Sequence, residues 1–150
     1  MASEYGISVL SVIPGRKEAA DASEQVTQLL FGEHYEVLEK NKKWIRIRCA
    51  IDDYECWIDL KQHYPIDQKF AERLEKQKFI PVGLDMAGLA IRESNGDMIP
   101  ILLGSSLPFL KDGKLKIGKE VFSFDGAVQS KHARKNSELL IQHARILRNA

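Results

Sequence analysis

Alternating apolar and polar side chains organise residues 44–59 and set the reading of the chain on either side. Trp44, Ile45 and Ile47 interleave with Arg46 and Arg48, the period-two pattern of a strand with one buried face. Asp52 and Asp53 supply turn chemistry, and Tyr54 to Ile58 starts a second aromatic and β-branched run. A hairpin is therefore expected, with Trp44 and Trp57 as core anchors. Upstream, Ile7, Val9, Leu10 and Val12 alternate weakly toward the turn signal Pro14-Gly15, and Gly15 to Ser23 reads as a long exposed loop. Val26 to Phe31, closed by Gly32, and Tyr35 to Glu39 are further strands, with Lys40 to Lys43 turning into the Trp44 strand. Short strands at this spacing predict a small all-β barrel.

The period changes at Pro65. Phe70 and Leu74 stand four apart with charges between them, which predicts a short helix from Asp67 to Gln77, capped by Asp67. From Phe79 the strand pattern returns in Ile80, Val82 and Leu84. Leu89 to Arg92 and Met98 to Leu103 then flank the hairpin turn Ser94-Asn95-Gly96-Asp97. Asp112-Gly113 and Gly118 punctuate a second hairpin through Leu115 to Ile117 and Val121 to Phe124. Residues 79–128 thus read as a second small barrel, similar to the first in strand count but not a residue-level repeat. In Ser130 to Ala150, Leu140, Ile141, Ala144 and Leu147 form one side of an amphipathic helix, surrounded by Arg134, Lys135, His143, Arg145 and Arg148. That helix either docks on the second barrel or opens a domain that continues past Ala150.

Charge and composition narrow the function. The chain has 150 residues, 29% of them charged, and a net charge of +1, which is globular and offers no bulk electrostatic case for nucleic acid or an anionic membrane. No apolar run reaches the length of a membrane span, and the N-terminus lacks the basic and apolar regions of a signal peptide, so a cytoplasmic chain is expected. Cys49 and Cys56 lie in apolar strand contexts and are expected to be buried thiols rather than nucleophiles or zinc ligands. His34, His63, His132 and His143 fall in four different segments and form no local ligand pair; no metal or cofactor motif stands out. Gly104-Ser105-Ser106 lacks the Gly-Lys-Ser/Thr of a phosphate loop, and no aromatic platform follows the lysines at 40–43.

The order of motifs resembles a known family. Tyr5-Gly-Ile-Ser-Val-Leu-Ser-Val-Ile-Pro-Gly-Arg, Gln28-Leu-Leu-Phe-Gly-Glu-His-Tyr-Glu-Val-Leu-Glu, Trp44-Ile-Arg-Ile-Arg and Tyr54-Glu-Cys-Trp-Ile-Asp are similar to the bacterial SH3-like region of NlpC-type cysteine peptidases of the dipeptidyl-peptidase VI type. Ile101-Leu-Leu-Gly-Ser-Ser-Leu-Pro-Phe and Phe122-Ser-Phe-Asp-Gly-Ala-Val extend the resemblance. It implies a mainly β fold of two SH3-like barrels: residues 5–62 and 79–128, a linker helix over 63–78, and a C-terminal helix over 129–150 beginning a papain-like domain. The implied activity is cleavage of murein peptides between γ-D-glutamate and a diamino acid, by a Cys and His in that downstream domain. Catalytic residues are then absent from this chain. One departure is Cys56, which stands where the family usually has Gly, putting the local turn geometry in question.

The same resemblance implies recognition residues. An acidic residue and a tyrosine of the first unit contact the free amino end of an L-Ala-terminated peptide in that family, and the matching positions are Glu18 and Tyr54; Asp53, beside Tyr54, is the fallback acid. A carboxylate pairs with an ammonium and a phenol adds an oriented hydrogen bond. The competing reading is a stand-alone SH3-like module that binds a peptide or the cell wall without chemistry. For each residue the plainer alternatives are a solvated loop charge at Glu18, a half-buried aromatic at Tyr54 and a turn aspartate at Asp53.

Overall fold

The computed structural model describes residues 2–129. The C-terminal helix expected over 129–150 lies outside the described residues, apart from residue 129. The described residues form two antiparallel sheets, one short α-helix and a 3-10 turn at Leu60–Gln62, so the expected mainly β class is observed.

The first sheet contains β1 (Glu4–Ile7), β2 (Val12–Arg16), β3 (Gln25–Leu30), β4 (His34–Lys40), β5 (Trp44–Cys49), β6 (Glu55–Asp59) and β7 (Pro65–Ile66), in the order β3-β2-β6-β5-β4-β1-β7. The weak alternation over 5–13 is two strands, because Ser8 to Ser11 breaks the ladder: the Ser8 N–H donates to Glu33 C=O and its hydroxyl to Leu10 C=O. Gly15 and Arg16 belong to β2, so the exposed loop begins only at Lys17. The β4–β5 turn forms as expected, with Asn41 Oδ1 accepting from the N–H groups of Lys43 (2.9 Å) and Trp44 (2.8 Å).

Burial corrects one expected anchor. Trp44 is buried at 7% exposure, with the Lys43 ammonium over its ring at 5.6 Å. Trp57 is only half-buried, because its neighbours Cys56 and Ile58 take the inward positions of β6 and strand alternation sends Trp57 to the outer face. The departure at Cys56 is also resolved. Cys56 sits in regular strand opposite Ile47, and the glycine that makes room is Gly15, where an added Cβ would lie 2.7 Å from Cys56 Sγ. Ile13, Leu29, Tyr35, Ile45, Ile47, Cys49, Cys56 and Ile58 form the interior of this sheet.

Helix α1 (Gln68–Lys76) starts at the expected cap, where Asp67 Oδ1 accepts from Phe70 N–H at 2.7 Å. It buries Ala71 and Leu74. The second sheet, ordered β10-β11-β8-β9, comprises β8 (Ala87–Arg92), β9 (Met98–Leu102), β10 (Lys114–Ile117) and β11 (Glu120–Phe124). Asp112 (φ 52°) and Gly113 (φ 73°) form the two-residue turn that opens β10, matching the positive-φ requirement of tight hairpins. The strand expected from Ile80 to Leu84 is reduced to single bridges, Val82 to Ser106 and Gly83 to Val128. Pro81 has no N–H to give a ladder.

The two sheets share a core. Ile7, Val9, Phe31 and Ile66 of the first pack with α1 and with Ile101, Leu107, Leu115, Ile117, Phe122 and Phe124 of the second. Phe31 and Phe122 meet edge to face at 5.3 Å, and the Ser106 N–H donates to Phe31 C=O at 2.9 Å. Gly32 permits this approach: its φ is +80°, and a Cβ there would lie 1.9 Å from the Ser106 carbonyl oxygen.

Candidate functional site

Antiparallel pairing decides which loops meet. Arg16 at the end of β2 pairs with Trp57 near the start of β6, and Cys49 at the end of β5 pairs with Tyr35 near the start of β4. The start of β4 and the β5–β6 loop, with Asp53 and Tyr54, therefore lie at one end of the first sheet. The β2–β3 loop that carries Glu18 leaves β2 beside β6 and reaches the β4–β5 turn at the other end through the Asp21–Lys43 ion pair.

The β5–β6 loop is built from its own sequence. Asp53 takes a left-handed φ of 58°, a conformation Asp tolerates better than most residues, and its N–H donates to Cys49 C=O at 2.9 Å. Asp52 Oδ1 accepts from Tyr54 N–H at 3.1 Å, the Asx turn that two consecutive aspartates suggested. These bonds hold Tyr54 at 44% exposure, its phenol available to a ligand. Glu18 is exposed in the β2–β3 loop, its N–H bonded to Ser23 Oγ at 2.9 Å and its C=O to Ala20 N–H at 2.8 Å. Its carboxylate makes no hydrogen bond or ion pair among the described residues.

Asp53 also borders a cavity of about 400 Å³, together with Tyr5, His34, Glu36, Arg48 and Glu75. Glu18 and Tyr54 do not line it, so the three residues do not share one pocket. Arg48 is engaged by Glu55 at 3.0 Å and Glu36 at 3.3 Å, which fixes its guanidinium on the cavity wall. The His34 Nε2 is buried without a partner, and burial holds this imidazole below its ordinary pKa, with Glu75 opposing. No sequence pattern marked His34 and Arg48 as neighbours of Asp53; only the β4–β5 register brings them together.

Neither cysteine is placed for nucleophilic chemistry. Both are free and buried, and the hydrogen bond to Cys56 together with burial pushes the Cys49 thiol far above its ordinary range. His63, the histidine nearest a polar cluster, is spent internally: its Nδ1 shares a hydrogen bond with the buried Tyr35 hydroxyl at 3.0 Å, and its Nε2 lies 3.4 Å from Glu4. Among the described residues no group of three or more His, Cys, Asp or Glu could hold a metal ion. No helix among them is long and apolar enough to cross a membrane.

Comparison with known proteins bears on the first sheet. Residues 15–62 match the family model of the bacterial dipeptidyl-peptidase SH3 domain. The match supports an SH3-like region of that type over this span. It runs from β2 through β6 and contains Glu18, Asp53 and Tyr54. A crystal structure of an NlpC/P60 family protein from Bacillus cereus is similar in fold, with a TM-score of 0.63 and 12% identity over 83% of this chain. The chain spans 56% of that protein's length. No curated protein matches. The matched span thus covers the first sheet from within β2 to β6, while residues of β1, β7 and α1 pack with those of the second sheet.

Proposed function

We propose that this chain is the substrate-selecting SH3-like portion of a cytoplasmic murein-peptide cysteine endopeptidase, acting on γ-D-Glu-diamino acid bonds of released cell-wall peptides. In this reading the second sheet is a second SH3-like unit, and a papain-like domain of the same protein supplies the nucleophile and base. The observation that carries the proposal is the match of residues 15–62 to the bacterial dipeptidyl-peptidase SH3 domain, a span that holds Glu18, Asp53 and Tyr54, all three exposed. The Glu18 carboxylate would pair with the ammonium of an N-terminal L-Ala, and the Tyr54 hydroxyl would orient it. A stem still attached to glycan has no such ammonium, so these residues favour released peptides. The chemistry is not assigned to Cys49 or Cys56, which are buried and hydrogen-bonded to each other.

Calorimetric titration of the chain with L-Ala-γ-D-Glu-diamino acid tripeptide tests this. Binding should be lost on N-acetylation and weakened in both Glu18→Gln and Tyr54→Phe, and the tripeptide should remain uncleaved. An acetylated peptide that binds as well as the free amine would sink the assignment of these residues.

A further inference from the structure

A concavity of about 930 Å³ runs between α1 and the β10–β11 hairpin, on a floor that includes Ile66, Phe70, Phe109 and Leu115. Its rim is cationic. Lys69 and Arg73 stand on the helix side, and Lys116 and Lys119 on the hairpin side. The one acid lining it, Asp67, is committed to capping α1. No carboxylate lies within 4.0 Å of these four cations among the described residues. Elsewhere among the described residues Lys40 pairs with Glu4, Lys43 with Asp21, and Arg46 and Arg48 with Glu55, while others such as Lys17, Lys42 and Lys61 have no ion pair. The groove stands out by its lining: with Lys114, which also pairs with Glu93, five cations surround the single acid Asp67, a local excess in a chain of net charge +1.

Two further features bear on what the groove takes. The Arg73 guanidinium lies over the rings of Phe109 (4.7 Å) and Phe70 (5.8 Å), which holds a planar donor fork in place for a carboxylate. The groove is also flanked by the free edges of both sheets, since β7 ends one strand order and β10 ends the other. On β10 the outward N–H and C=O of Lys114 are taken by Lys111, which leaves those of Lys116 open to an added extended segment. Edge lysines repel cationic strands. They accept acidic ones.

We propose that this groove binds an acidic, extended peptide segment of a partner protein, with an aliphatic or aromatic side chain on the apolar floor and carboxylates on Lys69, Arg73, Lys116 and Lys119. Phosphate alone would leave the floor unused. The chain's own residues 130–150 are a poor electrostatic match, carrying Lys131, Arg134, Lys135, Arg145 and Arg148 against the single acid Glu138.

The test is fluorescence anisotropy of the full chain with a labelled peptide of alternating glutamate and leucine, against the same peptide with lysine in place of glutamate. The acidic peptide should bind saturably and more weakly as salt rises, and the lysine peptide should not bind. The double variant Lys116→Glu with Lys119→Glu should lower affinity by about tenfold, as should Lys69→Glu with Arg73→Ala on the opposite wall. Lys42→Glu, remote from the groove, should leave affinity unchanged. Thermal melts confirm that each variant is folded, and the two wall variants make the result independent of either one. The proposal is overturned by equal binding of the lysine peptide, or by affinity unchanged in folded wall variants. It also fails if a peptide of residues 130–150 or a single-stranded oligonucleotide displaces the probe, or if the probe competes with self-association of the chain.

Discussion

The interior of the first sheet and the seam between the two sheets are stabilised differently. The interior is filled by residues of β2 to β6 alone, with Ile13, Ile45, Ile47 and Ile58 fully buried, and the outer face of those strands is covered by ion pairs among Glu36, Glu39, Arg46, Arg48 and Glu55. The seam has no such independence. The inward face of the second sheet, Phe122, Phe124, Leu115 and Ile117, is completed by Phe31 and Ile7 of the first sheet and Leu74 of α1. The lesson is an order of dependence. The SH3 domain can hold its strands with its own side chains, whereas the second sheet needs the first to bury one face.

Cutting the seam should therefore have the largest effect. Phe31→Ala removes a fully buried ring from both halves of the seam and should cost about 3–5 kcal/mol in urea unfolding. Hydrogen exchange should show β8 to β11 losing protection while β4, β5 and β6 keep theirs. Uniform loss in both sheets would show that the two cores form one cooperative unit. Gly32→Ala attacks the same place through the backbone. An L side chain at φ +80° is strained, and the Ser106 carbonyl must also move away, so destabilisation of about 1–3 kcal/mol is expected. A melting temperature unchanged in Gly32→Ala would mean that the Ser106 loop is free to shift.

The seam is also where the sequence was hardest to read. The strands β3 to β6, the Asp67 cap and the turns at Asn41, Gly96 and Gly113 follow from local pattern, because period two and positive-φ glycines are local signals. Which face is inward does not always follow. On β6 the large Trp57 lies outward and Cys56 inward; on β8 Leu89 and Ile91 are exposed while Ala90 is buried, because Phe122 and Phe124 fill the space beneath. Glu18, Asp53 and Tyr54 were nameable from motif resemblance and turn chemistry. The cavity beside Asp53 needed the register of β4 on β5, and the cationic groove needed α1 folded against β10. Neither is a property of any one stretch.

A pH titration sharpens the contrast on a smaller scale, since the polar chain Tyr35, His63, Glu4 and Lys40 ties β1 and β4 to the segment entering β7. Burial lowers the pKa of His63 below its ordinary value of 6.5, with Lys40 adding to the effect and Glu4 opposing it. His34 is lowered in the same way by burial. As pH falls below about 6.5 the unfolded chain takes up protons that the folded chain resists, so stability should decline there and level off below the folded values. Glu33, raised by burial, works in the opposite direction: the folded chain holds its proton more tightly, which favours folding at the acid end of its window. Comparing urea unfolding of wild type with His63→Gln between about pH 7.5 and 5 isolates the histidine, whose removal should flatten the slope. An unchanged slope would show that His63 takes up its proton alike in the folded and the unfolded chain.

The smallest effect is expected on the charged face that covers the independent core. Glu55 is held below the usual carboxylate range by hydrogen bonds from Arg48 and Arg46, so what it adds is present above its unfolded value of 4.5 and lost as pH falls through the lower folded one. The cluster lies on the surface, part-exposed to water, where Coulomb attraction is screened and ordering long side chains carries an entropy cost. Glu55→Gln should lower the melting temperature less than any substitution at the seam, and the difference should vanish as salt is raised. The neighbouring carboxylates Glu36 and Glu39 remain to meet the arginines, which limits the loss further. A large, salt-resistant drop would mean that this face carries part of the stability assigned to the isoleucine core, and the independence of the first sheet would then rest on its surface as much as on its interior.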